Sequence, residues 1–290
     1  MGRVGQTHCP VLPRRSHRQA PFSLLTMLRA HFMQQWFTLS DPGMGEAFFD
    51  TPLYREFAQL EEFGRLPDES TILRFRHRLE KHKLAEEILV LVIDVLVERE
   101  LMLKVGTVVD ATLIAAPSST KNKDHKRDPD MHSSKKGEQM YFGMKAHFGA
   151  DADSGLVHKV RGTAGNVSDV TEGNSLLHGG ETLEFGDAGY QGIQKRPDAK
   201  ANTTWHIAMR PGNRRALNKE NTADALLDKA EKIKAGIRAK VEHPFRVIRR
   251  QFGYVKVRYR GLKKNTAQIA TLFALSNLWM VHGKLMGVRV

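Results

Sequence analysis

The sequence predicts an α/β fold, with an all-helical front followed by a mixed sheet flanked by helices. Three observations predict it. Apolar residues recur at helical spacing from Phe22 to about Leu103. Short β-prone runs then follow, bounded by Gly, Asp, Ser or Pro. Helical patterns close the chain.

Residues 1–21 hold Arg3, Arg14, Arg15 and Arg18 among Pro10, Pro13 and Pro21, and read as a disordered basic arm. Leu24, Leu25, Leu28 and Phe32 repeat at helix spacing, as do Leu53, Phe57 and Leu60. The stretch from Leu66 to Thr71 combines a stop with capping residues and opens a helix from Ile72 to about His82. A further helix, from Leu84 to about Leu101, is apolar on most faces. Strands are expected at Thr107–Ile114, Tyr141–Ala150, Leu156–Arg161, Thr182–Phe185 and Trp205–Met209. Between the first two, Ser118–Gln139 carries Lys121, Lys123, Lys126, Arg127, Lys135 and Lys136, which predicts a mobile basic loop. Asp169 and Glu172 precede Leu176-Leu177 and suggest a capping box for a crossover helix. A long helical stretch runs from about Thr222 past Phe252, and a last helix from Thr266 to about Leu285. Trp36, Trp205 and Trp279 read as core.

Composition bounds the function. The 290 residues carry a net charge of +13, which points to a polyanionic partner, with nucleic acid the commonest. A single cysteine, Cys9, excludes an intramolecular disulfide framework and a Cys-based zinc module. The apolar runs Ile88–Val97 and Ile269–Val281 are too short to span a bilayer, and the first residues lack the apolar segment of a secretory signal. A soluble, cytoplasmic protein is expected.

Three acids stand out. Glu242 is the only acid from Lys232 to Val290, a stretch with 14 Lys or Arg. A solvated basic face gains only about 0–1 kcal/mol from one surface pair, whereas a hard divalent cation requires a carboxylate. On a continuous helix Arg238, Glu242 and Arg249 would share a face, with Pro244 a possible kink. Asp110 is embedded in the β-run Gly106–Ile114, where Asp is disfavoured; a strand-end hydrogen bond to a loop is its bland explanation. Asp187 follows Phe185-Gly186 and precedes Ala188-Gly189, which also suits an ordinary glycine-rich turn. Two strand-end carboxylates and one helical carboxylate could bind two divalent ions about 4 Å apart, the arrangement of phosphoryl transfer. His125, His132, His147 and His158 match no zinc spacing; His147 shares a strand face with Tyr141 and Lys145, a face that could line a cleft.

The segments VVDATLIAAPSSTKN, YFGMKAHFGAD, FGDAGYQG and RAKVEHPFRVIRRQFGYVKVRYRGLKKNTAQ resemble the DDE transposases of bacterial insertion sequences. The group is the insertion-sequence-five group of the insertion-sequence-four class. LLTMLRAHFMQQWFTLSDPGM and PDESTILRFRHRLEKHKL extend the resemblance over about Pro21 to Leu285. It implies an RNase H-like catalytic core at 104–290 behind a helical DNA-binding domain at 22–103. Asp110, Asp187 and Glu242 would be the three acids, holding two Mg²⁺ ions for which Mn²⁺ can substitute. Of the class pattern Tyr-xx-Arg-xxx-Glu-xxxxxx-Lys, Arg238 and Glu242 match, Arg249 stands at the Lys and Ala235 at the Tyr. Members of the group carry additional residues ahead of the segment that begins here near Pro21.

The implied activity is cleavage at the ends of the element, freeing a 3′-hydroxyl that joins target DNA, by a homodimer on double-stranded DNA. The helix from Ile72 sets Arg74, Arg78 and Lys81 apart from its apolar side, as in the second helix of a helix-turn-helix or in an ordinary packed helix. Lys256, Arg258 and Arg260 alternate as on one strand face, and with the basic loop, Lys263 and Lys264 are expected to contact phosphates. Two rivals stand beside this reading: a truncated DNA-binding remnant without catalysis, and an RNase H-like nuclease without strand transfer.

Overall fold

The computed structural model describes residues 20–200, 203–218 and 220–287; the expected basic arm therefore lies, up to residue 19, outside the described residues. The front is helical: α1 (Leu24–Trp36), α2 (Asp41–Asp50), α3 (Pro52–Ala58), α4 (Glu69–Lys81) and α5 (Leu84–Glu98). Side chains of Ser23, Ser40 and Asp68 accept the first free backbone N–H groups of α1, α2 and α4. Met27, Met33, Met44, Phe48 and Ile72 bury one small core among these helices.

Behind it lies a six-stranded mixed sheet. Its strands are β1 (Gly106–Ala115), β2 (His132–Lys136), β3 (Gln139–Asp151), β4 (Val157–Ala164), β5 (Leu183–Gly186) and β6 (Thr204–Ile207). β1 pairs antiparallel with β3 and parallel with β5, and β5 pairs parallel with β6. β3 also pairs antiparallel with β2 and β4. The remaining helices are α6 (Asp169–Glu172), α7 (Pro211–Arg215), α8 (Thr222–Ala239), α9 (Glu242–Arg250) and α10 (Leu262–Leu285). The expectation of an RNase H-like mixed sheet flanked by helices behind a helical front therefore holds.

The main core fills the space between the sheet and α5, α9 and α10. Phe148 of β3 meets Phe273 of α10 at 4.9 Å, both fully buried. Asn277 of α10 donates to the Val157 carbonyl and accepts from its N–H, so a buried amide substitutes for a strand partner at the start of β4. A second apolar layer, with Val109, Leu176, Leu177, Tyr190 and Ile193, forms a separate core cluster. Trp36, Trp205 and Trp279 are partly buried and pack against these cores. Trp36 sits against Phe252 and Trp279.

Four expectations change. The segment Ser118–Gln139 is not a free loop. It contains β2, and its acids tether it to the start of α10: Asp128 accepts from Gly261 N–H, Asp130 from Leu262 N–H, and Asp124 pairs with Arg260. The crossover helix is one turn, α6, passing into a 3-10 turn at Gly173–Leu176, and Ser168 makes no side-chain cap. The helical stretch from Thr222 breaks at Lys240–Val241 because Pro244 is tolerated only in a first helical turn, so Glu242 opens α9 instead of continuing α8. Lys256 makes only a single bridge, to Ala115, within an extended segment that is not a strand.

Helix α8 is amphipathic in an inverted sense. Leu226, Leu227 and Ile233 are exposed, and its one buried residue is Glu231. Polar bonds attach it: Glu231 accepts from Met209 N–H, Lys234 donates to the Ile207 carbonyl, and Asp228 pairs with Arg214 of α7.

Candidate active site

The lengths of two strands create the site. β5 is four residues long and covers only Gly106–Val108 of β1, whereas β1 runs on to Ala115. Phe185 lies beside Val108, so Asp187 leaves β5 level with Asp110 on the strand next door. Asp110 is thus not at a strand end, as expected, but at the point where its neighbour stops. The missing neighbour opens a cleft of about 1010 Å³ along the rest of β1.

Asp187 is aimed by its own turn. Its carboxylate accepts the Gly189 N–H at 2.8 Å and caps the 3-10 turn Ala188–Tyr190. A Cβ at Gly189 would lie 2.9 Å from Asp187 Oδ1, so a larger residue there would displace the Asp187 carboxylate from this position. Burial pushes the Asp110 carboxyl up to about 6, and the charges of Asp187 and Asp169 push in the same direction; the Ala111 backbone N–H and Arg238 act against them. Tyr190, buried beneath the acids, is raised well above its ordinary value by burial and then by the charges of Asp110, Asp169 and Asp187.

Glu242 lines the same cleft from the first turn of α9 and is exposed. Arg238, from the last turn of α8, and Arg249, from the last turn of α9, line it as well. The break between the two helices removes the single stripe that the spacing suggested, yet all three side chains border one cavity. Arg246 and Arg250 join them, and neither stood out in the sequence. Asp169 is the other addition. Lys145, expected with Tyr141 on a strand face that could line a cleft, does line it, and its Nζ donates to Asp169 at 2.9 Å and to the Val167 carbonyl at 2.8 Å. The Asp-xx-Glu pattern at Asp169 looked like a helix cap because a cap and a cleft carboxylate share the same residue type.

Other predicted residues lie elsewhere. Arg74, Arg78 and Lys81 are exposed on α4, outside the cleft, with Arg74 and Arg78 bordering a groove beside Phe22 and Arg65. Lys256, Arg258 and Arg260 are exposed after α9. His147 does not open into the cleft; it is fully buried, with Nε2 2.8 Å from the Thr163 hydroxyl.

Among the described residues, no group of three or more His, Cys, Asp or Glu side chains is arranged to hold a metal ion. The donor chemistry at Asp110 and Asp187 nevertheless fits a hard divalent cation. Two carboxylates level with one another, one of them raised by burial and further by like charge, form an oxygen-only site that a cation would stabilise. Glu242 faces them from the exposed rim. No helix among the described residues is long and apolar enough to cross a membrane.

A family model described as the transposase DDE domain matches residues 102–278, a span that contains Asp110, Asp187 and Glu242. A second, described as a transposase domain (DUF772), matches residues 6–78. No solved structure matches.

Proposed function

The chain belongs to the transposase DDE-domain family, and from that premise we propose that it serves a bacterial insertion sequence of the insertion-sequence-five group. It cuts the ends of the element and joins the freed 3′-hydroxyl to target DNA. The observation that carries this reading is the level placement of Asp110 and Asp187 on neighbouring strands, in a cleft rimmed by arginines.

Asp110 and Asp187, with Glu242 from the rim, would hold the divalent ions, Mg²⁺ or Mn²⁺. When bound, such a pair supplies activation of an attacking oxygen and stabilisation of a leaving one. The chain's own cations do the positioning: Arg238, Arg246 and Arg249 pair with phosphate oxygens and orient the backbone across the acids. In the first reaction a water oxygen bonds to phosphorus and the bond to the 3′-oxygen breaks, leaving a 3′-hydroxyl on the element and a 5′-phosphate on the flank. In the second, that 3′-oxygen bonds to a target phosphorus and displaces the target's own 3′-oxygen. Residues 22–103 would bind DNA through Arg74, Arg78 and Lys81, and 104–290 would carry the chemistry, with Lys256, Arg258 and Arg260 on the phosphate backbone. Two ends must be joined at once, which calls for a homodimer acting on double-stranded DNA in the cytoplasm.

A second reading, a DNA-binding protein that does not cleave, is favoured by one observation: Glu242 is exposed, and the acids form no three-ligand group among the described residues. One experiment separates the two. Labelled duplex carrying the gene's own flanks is incubated with Mg²⁺ or Mn²⁺ beside Glu242→Gln. Joined product from the parent, absent from the variant and with chelator, supports the transposase. Cleavage without joining supports a nuclease, and binding without cleavage the second reading.

A further inference from the structure

Among the cations lining the cleft, Lys145 alone rises from a strand paired on both sides by other strands through the body of the sheet. Lys135 stands on the short strand β2, and the arginines on α8 and α9. An ammonium group has three donors. Two of those of Lys145 are committed, to Asp169 Oδ1 and to the Val167 carbonyl, and the third has no acceptor among the described residues. A lysine that needed only charge neutralisation would be served by Asp169. The added carbonyl bond fixes where the ammonium sits, and its side chain remains 16% exposed to the cleft.

Asp169 is itself held beside the acids. Its Oδ1 lies 3.9 Å from Nδ1 of His147, a nitrogen with no hydrogen-bond partner of its own. Its Oδ2 lies 3.9 Å from the position a Cβ would take on Gly189, within the turn that aims Asp187. The pair Lys145–Asp169 therefore borders both Asp110 and Asp187 with one positive donor left over.

We infer that Lys145 contacts the backbone phosphate of DNA in the cleft, and that Asp169 is the positioning residue that holds its ammonium there. The inference rests on the reading of this cleft as the place where DNA is bound and cut. It assigns Lys145 a role apart from the arginine rim: a fixed cation on the floor of the site, set by the sheet and not by the break between α8 and α9.

The test begins with binding, in metal-free buffer, of the parent, Lys145→Gln and Lys145→Arg to duplex carrying the gene's flanks, measured by fluorescence anisotropy across a KCl series. Losing one phosphate contact should make the slope of log K against log salt shallower by about 0.9 in Lys145→Gln, and Lys145→Arg should keep the parent slope. Lys145→Met stands in if the glutamine variant does not fold. Cleavage at saturating DNA then tests Asp169. Asp169→Asn should slow the parent by roughly 100-fold, the scale of a lost charge-stabilising donor, and should slow Lys145→Gln no further. An unchanged slope in Lys145→Gln, or an equal cost of Asp169→Asn in both backgrounds, overturns the inference. If the parent binds no duplex, the proposed function fails and takes the inference with it; if the parent binds and cleaves while Lys145→Gln keeps its slope, only the inference fails.

Discussion

Replacing Glu184 by glutamine should change how the protein's stability responds to pH. Glu184 sits in the middle of β5, between Thr107 of β1 and Trp205 of β6, and is fully buried. Burial first, and then the nearby Glu181 charge, push its carboxyl up to about 7 from the ordinary 4.5; Lys200 and the Thr204 backbone N–H only partly oppose this. Between these two values the folded chain holds a proton that the unfolded chain has released. Stability therefore falls as pH rises through that window, is intact below about 4.5 and reaches its full loss above about 7. The difference is worth roughly 3 kcal/mol. Glutamine cannot ionise, so the variant lacks this slope, whatever constant offset its buried amide adds. Urea unfolding followed by tryptophan fluorescence at pH 5, 6, 7 and 8 measures it. Other titrating groups act equally in parent and variant, so the variant should gain on the parent by roughly 2–3 kcal/mol from pH 5 to pH 8. A difference that stays constant within about 0.5 kcal/mol over that range would refute the buried, proton-holding Glu184.

Three further outcomes are expected. Asn277→Ala strands both the N–H and the carbonyl of Val157 in the core and should cost roughly 2–4 kcal/mol in urea unfolding. Arg76→Met leaves Asp41 and Glu80 without their guanidinium and removes the ring contact with Tyr259, so it should destabilise by roughly 3–5 kcal/mol, visible as a lower Tm. The triple substitution of Arg74, Arg78 and Lys81 by alanine should leave the Tm unchanged, because all three are exposed; if α4 lies on DNA, the salt slope of binding should become shallower by up to about 2.7.

Most of the architecture was legible because the interior strands are short, apolar runs between turn residues. β1, β3, β4, β5 and β6 all fall within a few residues of their expected places. β2 was hidden because His132, Ser133, Ser134, Lys135 and Lys136 contain no apolar residue; β3 supplies the pairing that its composition does not advertise. The helix through Glu242 looked continuous because charge spacing was weighed above Pro244. Arg76 was passed over among basic neighbours, although Ile72, Arg76 and Leu79 share a spacing that turns Arg76 inward. In the cleft, Asp110 and Asp187 were readable as acids that strand and turn propensities did not explain. Lys145 and Asp169 were not readable as a pair, because residues 24 apart meet only once the sheet has formed. The DDE-domain match supports the family, while the roles of individual acids rest on geometry and resemblance.

The manner in which α8 is attached has a consequence for the environment in which the cleft forms. Helix α10 is held by buried rings and aliphatic side chains, which salt barely affects. Helix α8 is held largely by Glu231, Lys234 and the Asp228–Arg214 pair; Leu226, Leu227 and Ile233 are turned to water, and Ile237 in its last turn packs against the main core. The polar contacts weaken as ions screen them. Arg238 is carried by α8, whereas Glu242 opens α9, which Val241, Phe245 and Ile248 anchor in the main core, and Asp110 and Asp187 belong to the sheet. Rising ionic strength therefore acts on two quantities at once: the grip of the basic surface on a polyanion, and the hold of α8, which brings Arg238 to the rim of the cleft.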